Sequence, residues 1–240
     1  LRGIAMTETQ IKPTEKVNVS NGIYAKYIKR AMEFFLSFCA IVVLSPIMII
    51  LTVVGAIAMK GNPFFTQLRP GKIDKKTGSE RIFRLIKFRT MTCEKDKNGN
   101  LLPDDKRLTK YGKFLRSTSL DELPELINIL KGDMAIVGPR PLMARYVKFY
   151  NDFERKRHLV RPGLTGYAQV HGRNTVSWDE RMELDVYYIS KVSFVLDIKI
   201  IFSTILIVLK REGIELSDIG NFDDYKMRKE NELYEVVKGK

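Results

Sequence analysis

The longest uncharged run in the chain sets its first element. From Phe34 to Met59 there are 26 consecutive residues without a charge, nearly all of them apolar. A helix of that length covers roughly 39 Å at ~1.5 Å per residue, more than a ~30 Å hydrocarbon core, so the run predicts membrane insertion over a buried core helix. Ser45-Pro46 sits at its centre, where proline removes an intrahelical hydrogen bond and kinks the helix. Lys26, Lys29 and Arg30 flank one end; Lys60, Arg69, Lys72, Lys75 and Lys76 follow the other. Both flanks are cationic, so both favour the cytoplasmic face. A helix broken at Ser45-Pro46 that enters and returns on one side satisfies both flanks, and a simple span with a tolerated proline is the alternative.

Beyond this run the periods shorten. Gly61-Asn62-Pro63 ends the helix, and Gly71 and Gly78 mark turns. Arg81 to Arg89 partly alternates polar with apolar and predicts a half-exposed strand, followed by charged loop at 94–106. Leu123, Leu126, Ile127 and Leu130 recur at helical spacing, which predicts a helix from about Leu120 to Leu130. Ser119 and Glu122 are spaced as its capping box, and Gly132 stops it. Further helices are expected near 140–158 and 177–190. Phe194 to Leu209 is apolar, too short to span, and carries Asp197 and Lys199, which fits a core helix or one lying in the membrane interface. After Arg211 the chain reads as a charged, solvated tail. Leu1 to Ala5 precede Met6 and are set aside as an expression scar, and the polar residues up to 22 read as a mobile arm. No secretory signal peptide fits, because the first apolar run begins only at Phe34 and no small-residue cleavage site follows it. The expected plan is an arm at 1–22, a membrane helix at 23–60, a compact domain at 61–212 and a tail at 213–240.

Composition narrows the class. The 240 residues are 45% hydrophobic, enough to bury a core and exclude disorder of the whole. Two cysteines exclude a disulfide framework, and two histidines without a Cys/His cluster exclude a zinc site. Lys plus Arg is 41 against 28 Asp plus Glu, a formal net charge of +13 that calls for an anionic partner: nucleic acid, a phospholipid surface or a phosphorylated substrate.

The acidic pair Asp121-Glu122 is the strongest candidate for chemistry. On the expected helix Asp121 and Glu125 point away from the apolar stripe, with Glu122 on its flank. Acids in a first turn also complement the helix dipole, the plainer role. As chemistry, one carboxylate can attack phosphorus to form an acyl phosphate while its neighbour holds Mg²⁺. Cations and turns surround the pair in sequence: Lys87 and Arg89, Arg116, Pro139-Arg140-Pro141 after Gly138, and Arg161 in Arg161-Pro162-Gly163-Leu164-Thr165-Gly166. Arginine forks suit phosphate, and Gly/Pro turns let backbone amides approach an anion.

Together these motifs are recognisable. SLDELPELINILKGDMAIVGPRPL at 119–142 resembles the bacterial sugar transferases that initiate glycan assembly on a polyprenyl phosphate, the monotopic phosphoglycosyl transferases. KFRTM at 87–91, RPGLTGYAQVHGRN at 161–174, ELDVYYI at 183–189 and the Ser45-Pro46 break extend the likeness over roughly residues 24–212. The resemblance implies an α+β, mainly helical fold with a re-entrant N-terminal membrane helix, a compact cytoplasmic catalytic domain and interfacial amphipathic helices. It implies transfer of a sugar 1-phosphate from a UDP-sugar to polyprenyl (undecaprenyl) phosphate with release of UMP, at the cytoplasmic face of the bacterial inner membrane. Asp121 would be the covalent nucleophile, and Glu122 would assist with Mg²⁺, for which Mn²⁺ can substitute. Lys87, Arg89, Arg116, Arg161 and Pro139-Arg140-Pro141 would bind substrate. The chain looks like the minimal form of that family, and Tyr167 replaces a tryptophan common among relatives. Expected partners are UDP-sugar, polyprenyl phosphate and anionic membrane lipid, with nucleic acid not expected and a homo-oligomer left open. Two readings compete: a non-catalytic basic membrane adaptor, which leaves the acidic pair unexplained, and an enzyme that transfers directly without a protein-bound intermediate.

Overall fold

The computed structural model describes residues 19–171, 176–210 and 221–238, with side chains up to residue 230 in the last segment. The arm up to residue 18, residues 172–174 of the RPGLTGYAQVHGRN run and residues 213–220 of the tail lie outside the described residues. The rest is mostly helical with two small sheets.

The apolar run forms one long helix, α1 (Lys29–Ala58), entered through a π-helical turn at Tyr24–Ile28. Pro46 has no amide to offer the carbonyl of Val42, and the Ser45 hydroxyl donates to that same carbonyl at 2.8 Å. Thus the serine fills the acceptor that the proline frees. Phe35, Val42, Val43, Ile49, Ile50, Val53 and Ile57 are left exposed along the helix. It is the one helix among the described residues that is long and apolar enough to cross a membrane.

Two antiparallel strands follow, β1 (Phe64–Ile73) and β2 (Glu80–Phe88), paired from Phe64↔Phe88 to Ile73↔Glu80. The alternation read at 81–89 is therefore a strand, displaced by one residue. Its buried face, Phe83 and Leu85, packs on Leu126, Ile129 and Met134, with Ala40, Ile41 and Leu44 of α1 against the same cluster. After a short helix, α2 (Asp104–Arg107), comes α3 (Lys110–Thr118), capped by Thr109. Gly112 of α3 lies so close to β2's exit that an added Cβ would sit 1.9 Å from the carbonyl oxygen of Thr90.

The helix expected over 120–130 is split. Ser119 adopts a left-handed conformation, φ 56°, that ends α3; Leu120–Glu122 is a single 3₁₀ turn, and α4 (Glu125–Lys131) starts only after Pro124. The expected Ser119–Glu122 capping box is absent, because a left-handed Ser119 serves as the end of α3 and its side chain caps nothing. A capping box does form at Asn151–Glu154, opening α5 (Asp152–Arg155). The continuous helix expected near 140–158 is also replaced. Pro139 and Pro141 keep the first part extended, and 3₁₀ turns at Ala144–Phe149 and Lys156–Leu159 flank α5.

Two three-residue strands, β3 (Ala135–Val137) and β4 (Gly163–Thr165), pair in parallel. Next come α6 (Tyr167–His171), α7 (Trp178–Lys191, capped by Ser177) and α8 (Phe194–Lys210). The helix expected at 177–190 is α7. α8 buries Asp197 and Ile200 while leaving Phe194, Val195, Phe202, Ile205 and Leu209 exposed. Finally α9 (Phe222–Lys238) docks by Phe222, fully buried among Leu142, Tyr146, Trp178 and Met182. The expectation of a solvated tail fails at that residue, because one aromatic ring finds an apolar pocket on the domain.

A buried charge cluster joins α1 to α8. Lys29, 7% exposed, pairs with Asp197 and, at 2.9 Å, with Glu33, both 1% exposed. The hydroxyls of Tyr24 and Tyr188 each lie 2.7 Å from an Asp197 oxygen, and the amide of Ile136 donates to Glu33 at 3.0 Å. Removing one partner of such a pair strands the other charge. Asp197→Ala should therefore cost about 3–5 kcal/mol of stability, read from chemical denaturation in detergent micelles; a loss below ~1 kcal/mol would mean that the cluster does not hold the helix.

Candidate active site

The site is assembled by four segments. β2 presents Lys87 at its end, the 3₁₀ turn presents Asp121 and Glu122, α4 presents Glu125 in its first turn, and the loop after β3 presents Arg140. Asn128 of α4 sets the register between helix and strand: its Oδ1 accepts from the Ile86 amide at 3.1 Å, and its Nδ2 donates to the Arg84 carbonyl at 2.8 Å.

Charges then close on one another. Lys87 Nζ lies 2.6 Å from Glu122 Oε1 and 3.1 Å from Glu125 Oε1, and Arg140 Nη2 lies 2.8 Å from Glu122 Oε1. Burial works against ionising Glu122, but Arg140 and Lys87 outweigh it and hold this carboxyl at about 2. Glu125 is pushed up to about 7 by burial, which Lys87 opposes and the charge of Glu122 reinforces. Asp121 is also raised, by burial first and then by Glu122, against the pull of Lys87, Arg140 and Arg116. Its carboxylate makes no hydrogen bond or ion pair with any described residue. An unengaged carboxylate of raised basicity therefore stands beside one that is locked ionised.

Arg140 is held from behind. Arg157, 2% exposed, donates Nη2 to the Arg140 carbonyl at 2.7 Å and forks onto Asp185 Oδ2 at 2.7 and 3.0 Å. Its loop is braced by backbone packing as well. An added Cβ on Gly163 would lie 2.1 Å from the Gly138 amide nitrogen, and one on Gly166 would lie 2.2 Å from the Gly138 oxygen. The Gly138 and Gly163 amides donate to Thr165 and Pro139 carbonyls. These glycines, read in sequence as turns open to an anion, instead let two motif backbones interlock, and those two amides are spent within the protein.

Of the residues singled out in sequence, the fold brings Lys87, Asp121, Glu122 and Arg140 together. Arg116 is exposed, donates Nε to Thr90 Oγ1 at 3.1 Å, and is close enough for its charge to act on Asp121. Arg89 follows β2, its amide bound to the Pro63 carbonyl at 2.7 Å. Pro139 and Pro141 are buried beside Arg140 and line a small cavity with Pro70, Arg157 and His158. Arg161 is not brought to the acidic pair. It reaches Glu33 of α1 at 3.6 Å and lines a cleft of about 210 Å³ with Lys72, Arg81 and Asp133, at the other end of α4. Sequence reasoning missed the partnership of Glu125 with Lys87 and the Arg157–Asp185 brace. Asp185 stands in the ELDVYYI motif; no periodicity or spacing marks Arg157.

The chain is similar in sequence to several known proteins. Residues 24–211 match the family model described as Bacterial sugar transferase. Over 169 residues, 70% of this chain and 81% of the relative, the sequence is 50% identical to "Uncharacterized sugar transferase EpsL" of Bacillus subtilis (strain 168). It is 38% identical over 199 residues to "UDP-N-acetylgalactosamine-undecaprenyl-phosphate N-acetylgalactosaminephosphotransferase" of Aeromonas hydrophila, covering 80% of this chain but 45% of that protein. It is 33% identical over 202 residues to "Exopolysaccharide production protein ExoY" of Sinorhizobium fredii (strain NBRC 101917 / NGR234), covering 77% and 87%.

The two shifted glutamates have opposite effects on stability. Below its ordinary value of 4.5, Glu125 is protonated in both folded and unfolded chains; from there to about 7 only the unfolded chain ionises, so stability falls as pH rises. Glu122 contributes stability that is complete above 4.5 and is lost as pH falls toward about 2. Glu125→Gln should flatten the decline between pH 4.5 and 7 in chelator-treated protein, with urea midpoints across that range as the measurement. An unchanged slope would remove Glu125 as its source.

Proposed function

We propose the following reaction for this chain, which belongs to the bacterial sugar transferase family and is a sugar phosphotransferase. It moves a sugar 1-phosphate from a UDP-sugar to polyprenyl phosphate, releasing UMP, and thereby starts glycan assembly on a lipid carrier. The observation that carries the reading is the unengaged Asp121 carboxylate beside Glu122, with Lys87 and Arg140 fixed on the same spot. An Asp121 oxygen attacks the phosphorus that bears the sugar, the bond from that phosphorus to the UMP oxygen breaks, and UMP leaves with the electron pair. A lipid phosphate oxygen then attacks the acyl phosphate, and the bond to Asp121 breaks to restore the carboxylate. The proposal includes this covalent intermediate, against direct transfer. Splitting the transfer lets one cleft handle two polyanions in turn. Lys87 and Arg140 lie where charge collects on the phosphate oxygens, and the brace behind Arg140 limits the reorganisation they need.

Mg²⁺ belongs to the same proposal, with Mn²⁺ able to replace it. Lys87 and Arg140 both sit on Glu122 Oε1, leaving Oε2 without a partner among the described residues, and Asp121 is adjacent. No cluster of three or more ligating side chains occurs among the described residues. This donor set fits Mg²⁺, which is commonly held by one or two carboxylates with substrate phosphates completing its shell. Glu122 would hold the ion, which when bound supplies charge neutralisation to the diphosphate.

We further propose that α1 is re-entrant, with the catalytic domain on the cytoplasmic face of the inner membrane. Both ends of α1 are pinned to the same domain, which supports this. Arg30 near its start donates to the Ile129 and Leu130 carbonyls at 2.6 and 2.8 Å; near its end Leu51 packs on Phe88 and Leu115, and the Tyr111 hydroxyl donates to the Leu51 carbonyl at 2.7 Å.

Two experiments test these readings. Incubation with a panel of UDP-sugars alone, then intact-mass and peptide mapping, should place a sugar phosphate on Asp121 with a burst of UMP. Asp121→Asn should abolish labelling, and excess EDTA should stop turnover; a mass increment elsewhere, or none with any UDP-sugar during active transfer, defeats the covalent step. For topology, single cysteines at Lys26 and Lys60, in a background lacking Cys39 and Cys93, should label from the same side of the membrane. Labelling from opposite sides shows a span, the outcome expected of Pro46→Leu.

A further inference from the structure

Among the described residues, Arg69 of β1 makes no ion pair with a carboxylate. In the β1–β2 register Arg69 lies opposite Phe83, Gln67 opposite Leu85 and Phe65 opposite Lys87. Because side chains alternate along a strand, Arg69 shares its sheet face with Lys87. The next residue, Pro70, lines the same small cavity as Pro139, Arg140 and Pro141, so β1 abuts the loop that carries Arg140. Burial lowers the pKa of Arg69, the neighbouring charge of Arg140 lowers it further, and Glu125 pulls the other way. All three cations therefore serve one cleft.

Their partners differ. Lys87 and Arg140 are engaged with Glu122 and Glu125. Arg69, half-buried, donates Nη2 to the neutral Gln67 Oε1 at 2.6 Å, and its Nε is buried with no hydrogen-bond partner. The carboxylate whose charge it senses, Glu125, is committed to Lys87. A guanidinium half out of water, beside a second guanidinium and without a counter-ion, costs free energy unless an anion completes it. Its planar fork matches phosphate oxygens.

We propose that Arg69 is a further phosphate-binding residue of this cleft, holding a phosphate of the nucleoside diphosphate or of the lipid phosphate alongside Arg140. This rests on the reaction proposed above, and it adds a contact outside the acidic pair and the PRP element. It also gives Gln67 a role: its amide oxygen fixes the fork in the plane in which phosphate is met.

The test separates the two phosphates. Arg69→Gln and Arg69→Lys are assayed for UMP release against UDP-sugar concentration, for transfer against polyprenyl phosphate concentration, and for UDP binding by calorimetry. Arg69→Gln should raise KM for one substrate by about 10- to 100-fold, the loss expected for a charged hydrogen bond, with a smaller change in kcat. Arg69→Lys should recover part of that loss because it restores the charge but not the fork. A shift in UDP-sugar KM and UDP affinity assigns the nucleotide phosphate; a shift in lipid KM alone assigns the lipid phosphate. If Arg69→Gln does not fold, the same measurements on Arg69→Lys decide. Wild-type KM values for both substrates in the folded variants would overturn the inference, including variants that melt earlier, since a purely structural Arg69 moves stability and not KM. A wild-type protein that transfers from no UDP-sugar would overturn the reaction instead.

Discussion

A buried ammonium group at the foot of the apolar helix fixes where the other parts sit. Lys29 is buried where Glu33 and Asp197 both reach it, and burying such a group without partners would be costly. Asp197 belongs to α8, so the two most apolar helices are tied at one point. Glu33 also takes the amide of Ile136 in β3, and the chain runs from there through Val137 and Gly138 to Arg140. Three residues therefore separate Ile136, held by the long apolar helix, from the arginine on Glu122. A rotation of α1 about its axis would leave three charges unpaired in the interior, an arrangement worth several kcal/mol to avoid.

The cleft around Asp121 and Glu122 solves a related problem of like charges. Asp121 and Glu122 on the 3₁₀ turn and Glu125 at the start of α4 crowd one another, and three ionised carboxylates there would repel. Lys87 and Arg140 settle the conflict by lowering Glu122, while Glu125 rises and Asp121 is left without a hydrogen bond or ion pair among the described residues. The cations are themselves rigid. Lys87 lies near the end of a strand whose register is locked by Asn128, and Arg140 follows Gly138, which interlocks with Gly163 and Gly166, and is backed by Arg157 and Asp185. Rigid charge aimed at a reacting phosphate is an effective form of stabilisation, because little reorganisation remains to be done as charge develops. A left-handed Ser119 and Pro124 give up helix between α3 and α4, and that break sets the acidic pair on a turn.

Much of this was legible in the residues. The length of the uncharged run specified one long apolar helix, alternation specified β2, the helix expected at 177–190 is α7, and the motifs pointed to Asp121, Glu122, Lys87 and Arg140. Those features are local: a period, a cap or a proline acts within a few residues, and a sequence displays it directly. The folded chain alone decided that the 120–130 segment breaks, because the left-handed turn at Ser119 depends on where α3 meets β2. It decided that Arg161 sits with Glu33 at the far end of α4 and that Gly138, Gly163 and Gly166 serve backbone packing. It decided as well that Glu125 shares Lys87 and that Arg69, with no ion pair among the described residues, feels the charge of Arg140. Each of these depends on charges or backbones far apart in the chain coming within a few ångströms, and a coulombic or steric contact at that range is a property of distance in space, which no spacing along the sequence encodes.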